Sequence, residues 1–382
     1  MGMVIGIDGN EANVKNRVGV NTYAFEVLRG LYRLQGESKE HRYVVYLCRE
    51  PRSDLPKVRD GWEYRVLPGS GMWIFRRLVP ELFFTKLSLG VFFSPSHYSP
   101  LLIRIPQVCA IMDLGYLESS GQFKRYDYWQ LRLWSAMSMI VSKCIISISN
   151  ATKVDIVKYN PRLAKKVKVV HLGYDTARFN DRHDSEEEER IERIKRRYAI
   201  GASEYVLFLG TLKPSKNVEG LLNAWSKLKD HTNVKLVIAG KKGWLYESIF
   251  VKAKELGIED RVVFTDFVME EDKPVLIKGA KIFVIPSYWE GFGLDALSAM
   301  ASGVVVISSD RGSLPEVVGK AGLLVDPEKP EKIAEAIDRV LSWPMSEYNK
   351  RVEMGFKQVK KFSWEKTAKE TLKILEGTGR DE

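Results

Sequence analysis

The sequence predicts an α/β protein with two doubly wound, Rossmann-like domains whose parallel sheets face a central cleft. Short apolar runs alternate with stretches of helical period from one end of the chain to the other, which is the pattern of parallel strands joined by crossover helices. The 382 residues are too many for one hydrophobic core and fit two domains. The hydrophobic fraction of 45% and the charged fraction of 28% are typical of a folded protein.

Twelve apolar runs are predicted strands and fall into two sets. The first set lies at 4–7, 43–47, 91–93, 108–111, 145–148 and 167–170, with helices predicted at 21–34 and 125–141. The second set lies at 205–209, 234–239, 262–265, 281–285, 304–308 and 323–325, with helices at 217–229, 245–256 and 294–301. Further helices are expected at 329–341, 347–361 and 364–377. We therefore expect an N-terminal domain at 1–175, a C-terminal domain at 176–361 and a terminal segment at 362–382.

The positive charge lies in the first half of the chain. The net charge is +10, and residues 1–175 contain 25 Lys and Arg against 15 Asp and Glu, whereas residues 176–382 contain 34 of each. A basic domain fits an anionic membrane face, a phosphorylated acceptor or a nucleic acid. The segment 72–84 mixes aromatic residues with Arg76 and Arg77, as interfacial helices do, but a core helix with both arginines in solvent explains it equally. The sequence carries no nucleic-acid signature, so we expect no nucleic-acid partner.

The cysteines and the N-terminus predict a cytoplasmic protein with peripheral membrane contact at most. Cys48, Cys109 and Cys144 lie in or beside apolar runs, without the spacing of a disulfide framework or a metal site. The first residues enter a strand directly, so we expect no signal peptide. The most apolar stretch, 78–106, is interrupted by charged residues and prolines, and we therefore expect no transmembrane helix.

The turn at 290–293 is the most informative part of the sequence. It follows the predicted strand at 281–285, precedes the predicted helix at 294–301, and contains Glu290, Gly291, Phe292 and Gly293. Free backbone N–H groups and the helix dipole make such a turn a site for anions, and the carboxylate can accept hydrogen bonds from a sugar. The alternative is an ordinary strand-to-helix turn in which the glycines only supply positive φ.

A second glycine turn, at 209–217, leaves the first strand of the C-terminal domain and enters a helix. Lys213 and Lys216 lie in this turn, and we expect them, with free amides nearby, to form a cradle for a diphosphate. The two glycine turns belong to the same predicted sheet, which strengthens the interpretation.

The N-terminal domain contributes two further candidates. The turn after its first strand contains Gly19, where the backbone can approach a ligand closely, and Lys15 and Arg17, which can bind phosphate. Asp113 follows the predicted strand at 108–111, and it either faces the cleft or caps a helix.

The motifs that are absent narrow the chemistry. The sequence contains no His-Glu-x-x-His, Gly-x-Ser-x-Gly, Cys-x-x-Cys, Walker or Asp-x-Asp motif, so we expect no metal and no cofactor. A reaction that needs a diphosphate between two domains, but neither a metal nor a covalent serine or cysteine, is sugar transfer from a nucleotide sugar. In this reaction, positive groups and helix N-termini stabilise the departing phosphate.

A set of motifs along nearly the whole chain resembles glycosyltransferase family 4, the retaining glycosyltransferases of GT-B fold. In the first half, the motifs are Ile5-Gly-Ile-Asp8 with Gly19, Ser94-Pro-Ser-His97 with Pro100-Leu101, Asp113-Leu114, and Gly173-Tyr-Asp175 with Phe179. In the second half, they are Gly210-Thr-Leu212 with Lys216-Asn217, Glu290-Gly-Phe-Gly-Leu294, Ser313-Leu-Pro-Glu-Val317, Gly322-Leu-Leu-Val-Asp-Pro327 and Phe362-Ser-Trp364.

The resemblance implies a role for each group. Glu290 contacts the donor sugar near its anomeric carbon, Lys216 and the amides of Phe292 to Leu294 hold the diphosphate, and the last helix returns to the first domain. The predicted catalytic residues are Glu290 and Lys216, with Asp113 as an acceptor contact. The predicted donor-binding residues are Gly19, Arg17, Gly210, Thr211, Lys213, Ser215, Gly291, Phe292, Gly293, Leu294, Asp295 and Ser298.

Three positions depart from the family pattern. Ser298 occupies the place of a second Glu that binds the nucleotide ribose, Met112 the place of a His, and Ser215 the place of an Arg. Losing the charged ribose acceptor should cost about 1.5 to 3 kcal/mol of donor binding. Asp295 lies three positions before Ser298 on the same helix face, and we hypothesise that its carboxylate partly takes over the ribose contact.

The sequence therefore predicts a retaining, metal-independent glycosyltransferase. It would move a hexose from a nucleoside-diphosphate sugar to a glycan or lipid-linked acceptor, as in polysaccharide biosynthesis. The alternative is a catalytically impaired sugar-nucleotide-binding or partner protein on the same scaffold.

Overall fold

The computed structural model describes residues 2–117, 125–182, 185–228 and 233–380. The chain divides into two compact units. The first consists of Met1–Gly173 together with Phe362–Glu382, and the second of Tyr174–Lys361. Each unit contains one β-sheet, and all strand pairs in both sheets are parallel. The predicted fold class, two doubly wound parallel-sheet domains, is confirmed for each unit.

The first unit is built on a seven-stranded sheet in the order β3-β2-β1-β4-β5-β6-β7. Its strands are β1 (Val4–Asp8), β2 (Arg42–Leu47), β3 (Trp62–Val66), β4 (Leu89–Ser94), β5 (Gln107–Ile111), β6 (Cys144–Ser147) and β7 (Val167–Val169). The helices between them are α1 (Val20–Ser38), α2 (Val79–Phe84), α3 (Arg125–Val141) and α4 (Asn150–Tyr159). The central strands are buried on both faces, which explains why they read as continuous apolar runs.

The second unit is built on a six-stranded sheet in the order β10-β9-β8-β11-β12-β13. Its strands are β8 (Glu204–Leu209), β9 (Val234–Ala239), β10 (Val262–Asp266), β11 (Ile282–Ile285), β12 (Val305–Ser309) and β13 (Leu323–Val325). Its helices are α5 (Glu187–Arg197), α6 (Val218–Ser226), α7 (Glu247–Glu255), α8 (Lys273–Lys278), α9 (Leu294–Ala301), α10 (Leu314–Val318), α11 (Pro330–Leu341) and α12 (Met345–Val359). In both sheets the strand order reverses once, between β1 and β4 and between β8 and β11, and a crevice forms at such a reversal.

The last helix, α13 (Trp364–Arg380), packs within the first unit. Its Thr367 hydroxyl donates a hydrogen bond to the carbonyl of His171 at 2.7 Å, and Leu375 is fully buried. Gly30 of α1 faces Ala368 of α13 so closely that a Cβ atom at Gly30 would lie 2.4 Å from the Cβ of Ala368. The close approach of the two helices therefore requires glycine at position 30.

Several elements differ from the sequence-based expectation. Strand β3 was not predicted, because Glu63 and Arg65 interrupt its apolar pattern at the edge of the sheet. The short helices α4, α8 and α10 were also not predicted. Helix α6 ends at Ser226, and the predicted end at 229 lies outside the described residues.

Within the described ranges, no helix combines the length and the apolar character that a bilayer-spanning helix needs. The segment 72–84 forms a π-helical turn (Ile74–Leu78) followed by α2. Trp73 and Leu78 are buried in the core, whereas Arg76 and Arg77 are exposed. The core-helix interpretation of this segment therefore accounts for its buried side chains.

The contact between α1 and α13 can be tested by exchanging the two small residues. Gly30→Ala should lower the free energy of unfolding by about 1 to 3 kcal/mol, because the added methyl group overlaps the rigid Cβ of Ala368. Adding Ala368→Gly removes the overlap and should restore most of this loss, as measured by chemical denaturation followed by circular dichroism.

Gly377→Ala, in the partner helix α13, is the control. A Cβ atom there would meet nothing within 4 Å, so the variant should be about 1 kcal/mol more stable through helix propensity alone. Equal effects of Gly30→Ala and Gly377→Ala would contradict the packing of the two helices.

Candidate functional site

The two glycine turns of the second unit meet at the reversal of strand order between β8 and β11. One loop follows β8 and contains residues 210–217, and the other follows β11 and contains residues 286–293. The backbone N–H of Tyr288 donates to the carbonyl of Ser215 at 2.9 Å, which links the loops directly. Parallel strands that are neighbours end at the same edge of the sheet, so these loops are close although they are far apart in the sequence.

Lys216 and Glu290 form an ion pair across these two loops. The Lys216 Nζ atom contacts Glu290 Oε1, and the side chains are only 18% and 14% exposed. The Ser287 hydroxyl donates to the same carboxylate oxygen at 2.8 Å. An ammonium and a carboxylate are therefore fixed side by side, where the cation can meet an anionic group and the carboxylate can accept hydrogen bonds from hydroxyl groups.

Asn217 holds the first loop in place. It adopts a left-handed backbone conformation with φ of 53°, and its side-chain oxygen accepts a hydrogen bond from the Gly220 amide as the cap of α6. Its side-chain nitrogen donates to the carbonyls of Pro286 at 3.1 Å and Pro327 at 2.7 Å. One buried amide thus joins the loops after β8 and β11, a role that the sequence analysis did not identify.

The backbone of Glu290 is fixed by the loop after β12. The Ser313 hydroxyl donates to the Glu290 carbonyl at 2.9 Å. Gly312 has φ of +57°, and a Cβ atom there would lie 2.9 Å from the same carbonyl oxygen. The Ser309 hydroxyl donates to the carbonyl of Ser287 at 2.7 Å. These small residues support the loop after β11. Ser313 belongs to one of the motifs quoted above, whereas Ser309 and Gly312 do not.

Three backbone amides of the loop after β8 donate hydrogen bonds within the second unit. Gly210 donates to Ala239 at 2.9 Å, Leu212 to Lys241 at 3.0 Å, and Lys216 to Lys213 at 3.0 Å. The bonds from Gly210 and Leu212 tie the loop to the end of β9 and the residues that follow it, whereas the bond from Lys216 closes the turn itself. The predicted residues Thr211 and Ser215 are partly buried in the same loop.

The N-terminus of α9 lies directly after Glu290. Gly293 has φ of +95° and precedes the first helical residue, Leu294, while Phe292 is buried beneath the turn. The first amides of a helix have no partner within the helix, and the positive end of its dipole favours an anion there. With Gly291, these residues are the group that the sequence predicted to hold a diphosphate.

Asp295 and Ser298 lie on the first turns of α9 as predicted. Burial raises the pKa of Asp295, and the positive charge of Lys216 acts in the opposite direction. The negative charge of Glu290 adds to the rise, so Asp295 lies within electrostatic range of the Lys216–Glu290 pair. Ser298 is buried.

A third loop, after β9, also packs against this site and was missed by the sequence analysis. A Cβ atom at Gly240 would collide with the carbonyl oxygen of Gly210, and the Gly243 amide donates to the carbonyl of Leu212 at 2.9 Å. The predicted donor-binding residue Lys213 places its ammonium 5.2 Å from the ring centre of Trp244. The glycine immediately after a strand was the available signal, because β9 is the neighbour of β8.

In the first unit, the loop after β1 begins with a buried carboxyl group. Asp8 is buried, and its Oδ1 atom accepts hydrogen bonds from the backbone and the side chain of Asn10 at 3.0 and 2.7 Å. Burial raises the pKa of Asp8 to about 6, although both hydrogen bonds act to lower it. The group therefore titrates close to neutral pH.

Gly19 and Arg17, which lie in this loop, have different surroundings. Gly19 has φ of +49°, and a Cβ atom there would meet nothing within 4 Å, so its backbone borders open space at the start of α1. Arg17 instead donates to Asp54 at 2.7 Å and to the carbonyl of Ala12 at 3.0 Å, and its guanidinium stacks 3.6 Å from the ring centre of Phe25. These contacts engage Arg17 within its own unit.

Asp113 acts as a cap. Its Oδ1 atom accepts a hydrogen bond from the Gly115 amide at 3.0 Å, at the start of the turn Gly115–Leu117. The capping alternative of the sequence analysis thus describes its contact in this structure.

Among the described residues, Glu40, His41 and Glu376 are the group whose donor atoms lie close enough to hold a metal ion. The Met3 amide donates to His41 Nδ1 at 3.3 Å, so the other ring nitrogen carries the proton and donates to Glu376 at 2.8 Å. Both nitrogens are engaged, and the cluster links β2 to α13.

The raised pKa of Asp8 predicts a pH-dependent stability. Because the folded-state pKa of about 6 lies above the ordinary value of 3.8, the contribution of Asp8 is complete below about pH 4 and is lost as the pH rises through 6. Asp8→Asn imitates the protonated group. Between pH 4 and pH 8 it should gain about 2 to 3 kcal/mol relative to the wild type in thermal or chemical unfolding. A difference that does not change with pH would contradict the burial of an ionisable carboxyl at the end of β1.

Comparison with known proteins identifies related glycosyltransferases. Residues 190–358 match the family model described as glycosyl transferases group 1. The chain is 36% identical over 184 residues to O-antigen chain mannosyltransferase B of Escherichia coli, which covers 47% of each protein. It is 35% identical over 280 residues to an uncharacterised glycosyltransferase of Methanocaldococcus jannaschii, which covers 72% of this chain and 70% of the relative. The chain thus spans about half the length of the E. coli relative and more than two thirds of the M. jannaschii relative.

The fold is also found in solved structures. Anabaena HepE in complex with UDP-glucose is similar with a TM-score of 0.74 over 98% of this chain and all of that chain, at 17% sequence identity. This likeness concerns the fold and confirms that it is GT-B. The match to the M. jannaschii protein over more than two thirds of its length, together with the family model, shows that the chain belongs to the glycosyl transferases group 1 family.

Proposed function

We propose that this glycosyltransferase is a retaining, metal-independent enzyme of the family 4 type. It moves a hexose from a nucleoside-diphosphate sugar to a glycan or lipid-linked acceptor. The observation that carries the proposal is the Lys216–Glu290 pair beside the N-terminus of α9, at the strand reversal of the second unit. This arrangement offers a cation and helix amides for a diphosphate and a carboxylate for sugar hydroxyls.

The transfer breaks the bond between the anomeric carbon and the diphosphate, so negative charge develops on the leaving oxygen. Lys216 and the first amides of α9 stabilise that charge without reorganisation, because both are already fixed in place. Glu290 accepts hydrogen bonds from the sugar and positions its anomeric carbon. The retaining outcome rests on the resemblance of the motif from Glu290 to Leu294.

The first unit receives the acceptor in this proposal. Gly19 has open space at its Cα atom and is a candidate for a backbone contact to phosphate, and the excess of basic residues in this unit attracts an anionic acceptor or membrane face. The E. coli relative is named a mannosyltransferase, and the HepE complex contains UDP-glucose, so mannose and glucose are candidate donor sugars. The three free cysteines support a cytoplasmic location.

Removing either member of the ion pair should impair transfer. Glu290→Gln and Lys216→Met should each lower kcat/KM by about 100-fold or more, because each removes a group that acts in the transition state. The measurement is donor hydrolysis or transfer with a panel of UDP- and GDP-sugars, after the panel has been ranked by thermal shift.

Glu259→Gln and Lys254→Met are the matched controls, since both side chains lie on the surface of the second unit. Their kcat/KM should remain within a factor of two or three of the wild type. Donor binding without turnover on any acceptor would contradict the enzyme and favour the sugar-nucleotide-binding alternative. Full activity of Glu290→Gln would contradict the assigned site.

The departure at Ser298 leads to a separate prediction for Asp295. We propose that Asp295, one turn earlier on α9, accepts the hydrogen bonds of the nucleotide ribose. Asp295→Ala should then raise the dissociation constant of the nucleoside diphosphate by about tenfold or more, whereas Ser298→Ala should change it less. Isothermal titration calorimetry gives both constants. Unchanged affinity of Asp295→Ala would mean that this residue only favours the start of the helix.

A further inference from the structure

Helix α3 packs against the core of its unit but also exposes several large apolar side chains. Leu131 packs against that core, and Met139 is buried in it. On another face, Trp129, Leu133 and Ile140 are 56%, 66% and 54% exposed. A contiguous patch of exposed apolar side chains often marks a surface that binds a partner or a membrane. The outer face of α3 is therefore a surface that the described residues of this unit leave uncovered.

The exposed apolar residues form a single stripe. Trp129, Leu133, Met137 and Ile140 are spaced by four, four and three positions, which puts them on one side of a helix. We call these four residues the α3 stripe. Trp129 adds an aromatic ring of the amphipathic kind that is enriched at membrane–water interfaces. From Tyr128 to Val141, α3 contains Arg132 and no acidic residue.

A basic segment flanks the C-terminal end of this stripe. Residues 142–170 contain seven basic residues and one acidic residue, and we call this segment the basic flank. Lys166 donates hydrogen bonds to the carbonyls of Ile140 and Ser142, both at 2.9 Å, so the flank packs directly against the end of α3. Lys165 and Lys168 are exposed beside it.

The segment around α2 adjoins α3 on another side. The rings of Phe75 and Trp134 lie 5.0 Å apart between their centres, which joins the two segments. In the same α2 segment, the side chains of Phe84, Arg76 and Arg77 are exposed. The same mixture of aromatic and cationic side chains thus continues beyond the α3 stripe.

We propose that the α3 stripe and the basic flank form the surface by which this protein lies on an anionic lipid bilayer. Apolar side chains enter the boundary between headgroups and acyl chains, while the lysines beside them bind anionic headgroups. A second copy of the chain fits this surface poorly, because a two-fold interface at this position would bring two basic flanks together. The inference rests on the membrane contact in the proposed function and states which surface makes it.

Vesicle co-sedimentation of the full chain tests the proposal. The wild type should bind vesicles of phosphatidylglycerol and phosphatidylcholine, and bind pure phosphatidylcholine more weakly. Leu133→Ser combined with Ile140→Ser should weaken partition to the anionic vesicles by about tenfold or more. Val251→Ser is the control, because Val251 lies on a helix of the second unit and is equally exposed, at 55%.

Lys168→Glu tests the basic flank without changing the stripe, and it should weaken partition by about fivefold or more. Its control is Lys57→Glu, an exposed lysine just before β3, at the opposite edge of the same sheet from β7. Circular dichroism melting checks that each variant is folded. Donor hydrolysis without vesicles should be unchanged in all of them, which separates this inference from the transferase assignment.

The outcomes are distinct. Loss of partition in Leu133→Ser/Ile140→Ser and in Lys168→Glu, but not in the controls, supports the surface. If Leu133→Ser/Ile140→Ser partitions to anionic vesicles as strongly as the wild type, the proposed surface is wrong, and the membrane contact lies elsewhere on the protein. A wild type that does not bind anionic vesicles overturns both the surface and the membrane contact. Light scattering could instead show that the wild type is a dimer, that Leu133→Ser/Ile140→Ser dissociates it, and that the wild type does not bind vesicles. This result would overturn the membrane proposal and identify a second copy of the chain as the partner of the α3 stripe.

Discussion

An ion pair between Lys216 and Glu290 joins the two loops on which the candidate donor site depends. The residues are 74 positions apart, and they meet because β8 and β11 are adjacent parallel strands that end at one edge of the sheet. A partly buried ion pair needs good geometry to offset the loss of hydration, and Ser287 contributes to it by donating to the same carboxylate oxygen. The pair therefore couples the position of the cation, which we propose to face the diphosphate, to that of the carboxylate, which we propose to face the sugar.

Rigid neighbours hold this pair in position. The Asn217 amide bridges the loops after β8 and β11, and Ser313 fixes the carbonyl of Glu290 from the loop after β12. Gly240 allows the loop after β9 to lie against Gly210. Four neighbouring strands thus contribute loops that support one another. A site whose groups are fixed before the ligand arrives needs little reorganisation during the reaction, which is the general requirement for electrostatic stabilisation of a leaving group.

The spacing of apolar residues predicted most of the strands and long helices. For each strand that is an uninterrupted apolar run, the predicted ends lie within two residues of the ends in the structure. It missed β3, where Glu63 and Arg65 alternate with apolar residues at a sheet edge. Glu290 and Lys216 were recognisable because each lies in a glycine turn after a strand, but the bracing by Asn217 and Ser313 depends on strand neighbours that no local pattern specifies. Arg17 pairs with Asp54, 37 positions away, and spacing alone cannot reveal such a contact.

The central claim is that Lys216 and the start of α9 hold a diphosphate while Glu290 faces the donor sugar. A crystal structure of the full chain with a bound nucleoside-diphosphate sugar tests it most directly. We expect a phosphate oxygen within about 3 Å of Lys216 Nζ, a second phosphate contact from the amides that follow Gly291, and a sugar hydroxyl hydrogen-bonded to Glu290. A diphosphate bound elsewhere, with the Lys216–Glu290 pair unchanged and remote from it, would contradict the claim.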